Sequence, residues 1–159
     1  MNASIVIRPA SPKDLEDVRT LFREYQAWLG VDLCFQGFEE ELASLPGRYA
    51  PPRGRLHLLD VDGRLAGCVA MRELAPGIAE MKRLFVREFA RGRGAGRALV
   101  ERIVADARDA GHAAMRLDTM PGPMAVANRL YESFGFRDIA PYTYNPTPGA
   151  RYMEVDLTR

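Results

Sequence analysis

Cysteine is scarce in this chain of 159 residues: Cys34 and Cys68 are the only two, 34 positions apart and without a CxxC spacing. That excludes a disulfide scaffold and carries no zinc-ligand pattern, so both read as reduced cytosolic thiols. Long apolar runs are missing too. No stretch of about 18 or more apolar residues occurs, which excludes a membrane-spanning helix. The opening residues, MNASIVIRPASPKD, lack the basic-then-apolar order of a secretory signal, so the expected location is cytoplasmic. Charge of one sign is also lacking, since 22 Lys and Arg face 21 Asp and Glu for a formal net of +1.

What is present is the balance of an ordinary globule, with 47% hydrophobic and 27% charged residues, which excludes a disordered tail protein. Residues 1–159 fit a single domain, since domains most often run to about 100–150 residues. A chain this long needs no staples to hold its core. The charge is unevenly placed: residues 81–116 hold nine Lys/Arg against four Asp/Glu, a net of +5, while 1–80 carry −3 and 117–159 carry −1. A basic centre in a near-neutral chain suits one compact anionic ligand better than a nucleic-acid track.

Periodicity and turn chemistry place the elements. Ile5-Val6-Ile7 reads as a first strand. Ser11, Pro12 and Asp14 mark a helix start, and Leu15, Val18, Phe22, Tyr25 and Leu29 give it one apolar face before Gly30. A shorter helix is expected over 37–45, with Glu39-Glu40-Glu41 as its solvated side, and a loop over 46–54. Strands 55–61 and 65–72 flank the hairpin signal Asp62-Gly63. After Pro76-Gly77, strand 79–86, helix 94–110 and strand 114–119 form a βαβ crossover with parallel strands. A helix over 124–134 and strands 136–139 and 151–157 complete the order β-α-α-β-β-β-α-β-α-β-β. The fold class is α/β: a mixed, mostly antiparallel central sheet with one parallel βαβ crossover and helices on both faces.

The stretch that carries chemistry is Arg91-Gly92-Arg93-Gly94-Ala95-Gly96-Arg97, between a strand and a helix. Glycines admit close backbone approach, and a helix start offers unpaired N–H groups to a pyrophosphate. It is not a P-loop, which needs Gly-Lys-Ser/Thr where this chain has Gly-Arg-Ala. Nor does it match a dinucleotide fingerprint, whose sixth place falls on Arg97 or Leu99. The remaining pattern, Arg-x-x-Gly-x-Gly after Leu84-Phe85-Val86, resembles the acetyl-CoA signature of the GNAT superfamily of N-acetyltransferases. A second stretch, Leu130-Tyr131-Glu132-Ser133-Phe134-Gly135-Phe136, is similar to that family's Leu-Tyr-x-x-x-Gly-Phe. The resemblance runs the whole length of the chain.

The resemblance implies a GNAT-like acyl-CoA N-acyltransferase fold, with acetyl-CoA as co-substrate and no metal. The amides of Gly92, Arg93, Gly94, Ala95, Gly96 and Arg97 would hold the CoA pyrophosphate, with Arg91 supporting the loop. Leu84, Phe85 and Val86 would line the cofactor where two strands splay apart, their backbone groups meeting the acetyl carbonyl and the pantetheine amides. Tyr131 matches the family's general acid, against a reading as a packed core tyrosine. Glu80 corresponds to the general-base position of some members, against a reading as a strand-end acid paired with an arginine. Asp118 and Glu73 are weaker base candidates. Many members carry Asn seven residues before the tyrosine, where this chain has Met124; Asn128 lies on another helix face and does not inherit the role.

His57 reads as a satisfied sheet histidine, His112 as exposed, and Cys34 as a packed thiol or a wall of the acceptor pocket. Phe35, Tyr142 and Tyr144 are expected to line an acceptor site between segments 30–50 and 140–150. The implied activity is direct transfer of acetyl to a primary amine of a small molecule. The alternatives are a non-catalytic acyl-CoA-binding module and a protein or peptide N-acetyltransferase. The expected partners are a small amine acceptor and, as the family allows, a second copy in a homodimer, with neither nucleic acid nor membrane.

Overall fold

Caps and turns place the elements where the sequence puts them. The structure, a computed structural model, describes residues 4–159 except for the Phe35 side chain. Strand β1 (Ile5–Pro9) leads through a 3-10 turn at Pro12–Asp14 into α1 (Leu15–Leu29). Asp14 accepts the Ser11 N–H at 2.8 Å, as a capping acid should. A shorter helix, α2 (Phe38–Ala43), follows. Strands β2 (Arg55–Val61) and β3 (Arg64–Ala75) join through Asp62 and Gly63, both at positive φ, as a two-residue hairpin turn requires.

Strand β4 (Ile78–Val86), helix α3 (Ala95–Asp109) and strand β5 (Ala114–Thr119) make the crossover. Helix α4 (Ala125–Ser133) and strands β6 (Arg137–Asp138) and β7 (Arg151–Asp156) close the fold. Among the described residues seven strands run β1-β2-β3-β4-β5-β7-β6, with only β4 and β5 parallel. This is the expected mixed sheet, except that β6 keeps two residues of the four predicted. One core, around Leu99, Ile103, Met115 and Met153, lies between the sheet and the α3–α4 side. The other, around Phe22, Phe38, Leu58 and Phe85, lies under α1 and α2.

Two irregularities in β4 shape everything that follows. The first is a splay. β4 and β5 pair only at Ile78↔Ala114, Ala79↔Met115 and Glu80↔Arg116. Beyond Glu80, β4 stays with β3 while β5 stays with β7, so the two parallel strands part. The second is a bulge. Ala70 of β3 faces Lys82 and Cys68 faces Phe85, so Arg83 and Leu84 together stand opposite Val69. The extra residue reverses the alternation: Ala79 and Met81 face the α3 core, and after the bulge Leu84 and Val86 do. Phe85 is thereby turned to the α1 core.

Arg83 sits at φ 62°, a conformation that costs a non-glycine residue about 1–3 kcal/mol. Its side chain is held under α2, where Nε and Nη2 donate to the two Glu41 carboxylate oxygens at 2.9 and 2.7 Å. The expectation that all three acids of 39–41 are solvated is therefore corrected: Glu41 is turned inward, whereas Glu39 meets Arg23 at the surface. Burial alone would weaken the hold of Arg83 on its proton, and the Glu41 hydrogen bonds more than reverse that. Removing one partner of such a pair leaves a buried charge uncompensated. Glu41→Ala should lower unfolding free energy by about 3–5 kcal/mol in a denaturant titration. A loss under about 1 kcal/mol, the scale of an exposed pair, would mean that the strand register alone maintains the bulge.

Candidate active site

The splay opens a cleft of about 760 Å³. One wall is Leu84, Phe85 and Val86 of β4; the floor is the loop from Arg91 into the start of α3; the far wall is α4. Gly92 and Gly94 lie at φ 75° and 85°, and a Cβ built on either would meet no atom within 4 Å. The loop thus turns a bare backbone to open space. The first helical bond runs from Ala98 N–H to Gly94 O at 3.0 Å, so the N–H groups of residues 92–97 precede the helical ladder. That is a fit for the diphosphate of a CoA molecule, and the apolar strand wall fits its pantetheine arm.

Of the residues predicted for the cofactor, Leu84, Phe85, Val86, Arg91, Gly92, Gly94, Ala95, Gly96 and Arg97 line this cleft. Arg93 is not among them; its guanidinium stands 3.9 Å from Asp62, on the hairpin side. Arg91 donates from Nε to Val86 O at 3.0 Å and lies over the Trp28 ring at 5.0 Å. It braces the loop against β4 and α1. Met124 is a buried apolar part of the cleft wall. Asn128 is structural: it accepts from Thr119 Oγ1 at 2.6 Å and donates to Met120 O at 3.0 Å, tying α4 to the end of β5.

A second, narrow cavity of about 30 Å³ adjoins the cleft across Leu84 and Met124, which line both. Its polar lining is Tyr25, Gln36, Lys82, Arg83, Asp118, Tyr131 and Asn145. Tyr131 is 3% exposed, and among the described residues its hydroxyl makes no hydrogen bond. Burial drives that hydroxyl well above the usual tyrosine range, so it keeps its proton. Burial likewise pushes Tyr25 up to about 12. Asp118 Oδ2 accepts from Asn145 Nδ2 at 2.9 Å and Gln36 Nε2 at 3.4 Å. Gln36 Oε1 accepts from Lys82 Nζ at 3.1 Å and Arg83 Nη1 at 2.8 Å. Burial, and next the neighbouring Arg83, lower Lys82 below the usual lysine range.

Glu80 is 1% exposed and does not line the cavity. Its Oε1 accepts from Arg72 Nε at 2.9 Å and its Oε2 from the Tyr142 hydroxyl at 2.7 Å. Burial by itself would raise this carboxyl; Lys82, Tyr142 and Arg72 outweigh it and hold it below its usual value. Both oxygens are occupied and the group is a weak base, the geometry of a strand acid paired with an arginine. Asp118 is the carboxylate that faces the cavity, while Glu73 stands apart beside Arg53 at 3.5 Å.

The acceptor walls come from the two predicted segments but through different residues. Tyr142 spends its hydroxyl on Glu80, and Tyr144 is 70% exposed; neither lines the cavity. The Phe35 side chain lies outside the described residues. Gln36 and Asn145 supply the contacts instead. His57 is buried with Nε2 on Asp106, but among the described residues its Nδ1 has no partner. His112, expected at the surface, is buried, with Nε2 3.4 Å from Arg53 O. Cys34 is exposed and Cys68 buried, both free. No helix among the described residues is long and apolar enough to cross a membrane.

Comparison with known proteins agrees with this geometry. The model of the acetyltransferase (GNAT) family matches residues 15–136. An uncharacterised N-acetyltransferase of Schizosaccharomyces pombe is 41% identical over 150 residues, covering 93% of this chain and 91% of its own length. The IAA acetyltransferase of Azospirillum brasilense is 38% identical over 110 residues, covering 68% and 71%. Among solved structures, a GNAT-family acetyltransferase of Staphylococcus aureus superposes with a TM-score of 0.80 at 18% identity, covering 98% and 100%. The PaiA N-acetyltransferase of Thermoplasma acidophilum, solved with coenzyme A, gives 0.73 at 20% identity, covering 96% and 99%. Family match, close relatives and fold converge: the chain belongs to the GNAT family of acetyltransferases.

Proposed function

We propose that this protein moves an acetyl group from acetyl-CoA directly onto a primary amine of a small molecule. The observation that carries this is the meeting of the two cavities. A long cleft with a bare-backbone loop at one end adjoins, across Leu84 and Met124, a narrow polar cavity lined by an unbonded tyrosine hydroxyl. Acetyl-CoA, when bound, supplies an activated acetyl thioester. The N–H groups of residues 92–97 bind its diphosphate, and the parted edge of β4 gives its arm backbone groups that β5 does not use. Such an edge can also hydrogen-bond a carbonyl oxygen as charge develops there.

Tyr131 holds a proton on its hydroxyl oxygen for the departing thiolate. Asp118 faces the acceptor, its Oδ2 fixed by Asn145 and Gln36. Its Oδ1 accepts the proton that the ammonium sheds before its nitrogen attacks. The second nitrogen proton, lost as the C–N bond forms and the C–S bond breaks, restores the Tyr131 hydroxyl. A small acceptor is favoured because the cavity is narrow, about 30 Å³, and its lining includes Gln36 and Asn145 from the two segments 30–50 and 140–150. A binding module without chemistry would have no use for a tyrosine hydroxyl kept free inside the cavity.

Two variants separate binding from chemistry. In Gly94→Val the substituent enters the open face of the loop at a φ that disfavours it. Calorimetry should show acetyl-CoA affinity at least tenfold weaker, about 1.4 kcal/mol; unchanged affinity in a folded variant would remove the loop from the site. Tyr131→Phe should leave cofactor affinity near the parent's and lower kcat about 100-fold, the low end for a general acid, because a thiolate is already a good leaving group. A kcat within about twofold of the parent, far short of that contribution, would reduce Tyr131 to packing.

A further inference from the structure

Lys82 is the odd charge in the narrow cavity. Its side chain is 6% exposed, on a strand interior where a lysine is rarely buried without full pairing. An ammonium has three donors. Among the described residues one goes to Gln36 Oε1 at 3.1 Å, and the nearest carboxylate oxygen, Asp118 Oδ1, stands 3.9 Å away, beyond hydrogen-bond reach. Arg83, the other cation of the lining, is committed to Glu41 and Gln36. The anion has the same kind of vacancy: Asp118 is bonded through Oδ2, while its Oδ1 takes only the long approach of Lys82. Gln36 touches both groups and holds them apart. The cavity therefore presents a cation with two unspent N–H donors and an anion with one oxygen free of hydrogen bonds, loosely paired at 3.9 Å.

We infer that the acceptor is a small α-amino acid, its carboxylate bound by Lys82 Nζ and its amine by Asp118 Oδ1. A zwitterion with its two charges one carbon apart is the complement of that pair, and it fills both vacancies at once. A diamine or a simple alkylamine satisfies Asp118 but brings nothing for Lys82. An internal residue or amidated end of a peptide has no carboxylate beside its amine. At about 30 Å³ the cavity takes the charged headgroup rather than a whole molecule, so the side chain of the amino acid stays outside it. An entering carboxylate also compensates the burial that now weakens Lys82's hold on its proton. The assignment rests on the acetyltransferase reading and adds to it the class of acceptor.

The test is CoA release from acetyl-CoA over matched triplets: each common α-amino acid, its amide and the corresponding decarboxylated amine. At least one amino acid should exceed both of its partners by tenfold or more in kcat/KM. In Lys82→Gln that acid-to-amide ratio should collapse toward one, and Lys82→Arg, which keeps the cation, should retain most of it. The triplet comparison on the parent protein stands even where a variant fails to fold. If amides or amines are used as well as their parent acids throughout, or if Lys82→Gln slows all three alike, the assignment falls and the acetyltransferase reading survives. If the protein binds acetyl-CoA yet releases no CoA to any amine, both fall.

Discussion

The ion pair between Arg83 and Glu41 is the constraint on which the site depends. A strand that simply alternated would carry one register from Ile78 to Val86 and lie flat between its neighbours. Instead an arginine in a left-handed conformation interrupts it, and the cost is met by burying its guanidinium against a helix on the other side of the sheet. From that one residue follow the reversed alternation, the placement of Leu84 and Val86 along the cofactor cleft, and the turning of Phe85 into the core beneath α1. The pair also binds α2 to the sheet, and with it the segment that delivers Gln36 to the cavity. The catalytic architecture and the fastening of the α1–α2 face are thus a single arrangement.

Much of this was legible because it is local. Caps, the Asp62-Gly63 turn, the helical periodicity of 95–109 and the glycine loop act over a few residues, and their chemistry can be read in order along the chain. The crossover topology follows from element order. The loop at 91–97 was recognisable because its glycines serve the backbone itself, whatever the side chains nearby do. Arg93 marks the limit of that reading, since a basic residue within a binding loop need not face the ligand, and here it faces the hairpin.

What stayed hidden depends on partners distant in sequence. For Glu80 the sequence leaves a general base and an arginine-paired strand acid both open; Arg72 takes one oxygen, and the other goes to Tyr142, 62 residues on. Glu41 looked solvated because it belongs to an acidic run, yet its partner lies 42 residues on. The aromatic residues at 142 and 144 draw attention by their chemistry, whereas the polar groups that segments 30–50 and 140–150 give the cavity are two plain amides, Gln36 and Asn145. One signal did exist in the sequence. Lys82 and Arg83 stand together in the middle of a strand whose other residues, Glu80 apart, are apolar, and two adjacent charges there require either a bulge or a buried counter-charge. The structure has both.

The two halves of the site also differ in how completely they are satisfied. Around Glu80, Arg72 and Tyr142 the hydrogen bonds close on one another, and around Arg83 and Glu41 they are bidentate. These groups are finished, and their effect is rigidity. Around Lys82, Asp118 and Tyr131 the same low-dielectric interior holds groups whose donors and acceptors are only partly used. An incompletely satisfied buried network costs stability that an apolar core of the same volume would not. Closed networks on either side keep these open groups from relaxing toward each other, and Gln36 spaces the lysine from the aspartate. The unspent hydrogen-bonding capacity is concentrated where the cofactor cleft meets the narrow cavity, so the free energy withheld from folding becomes available to a ligand at the point where an acetyl group and an amine would have to meet.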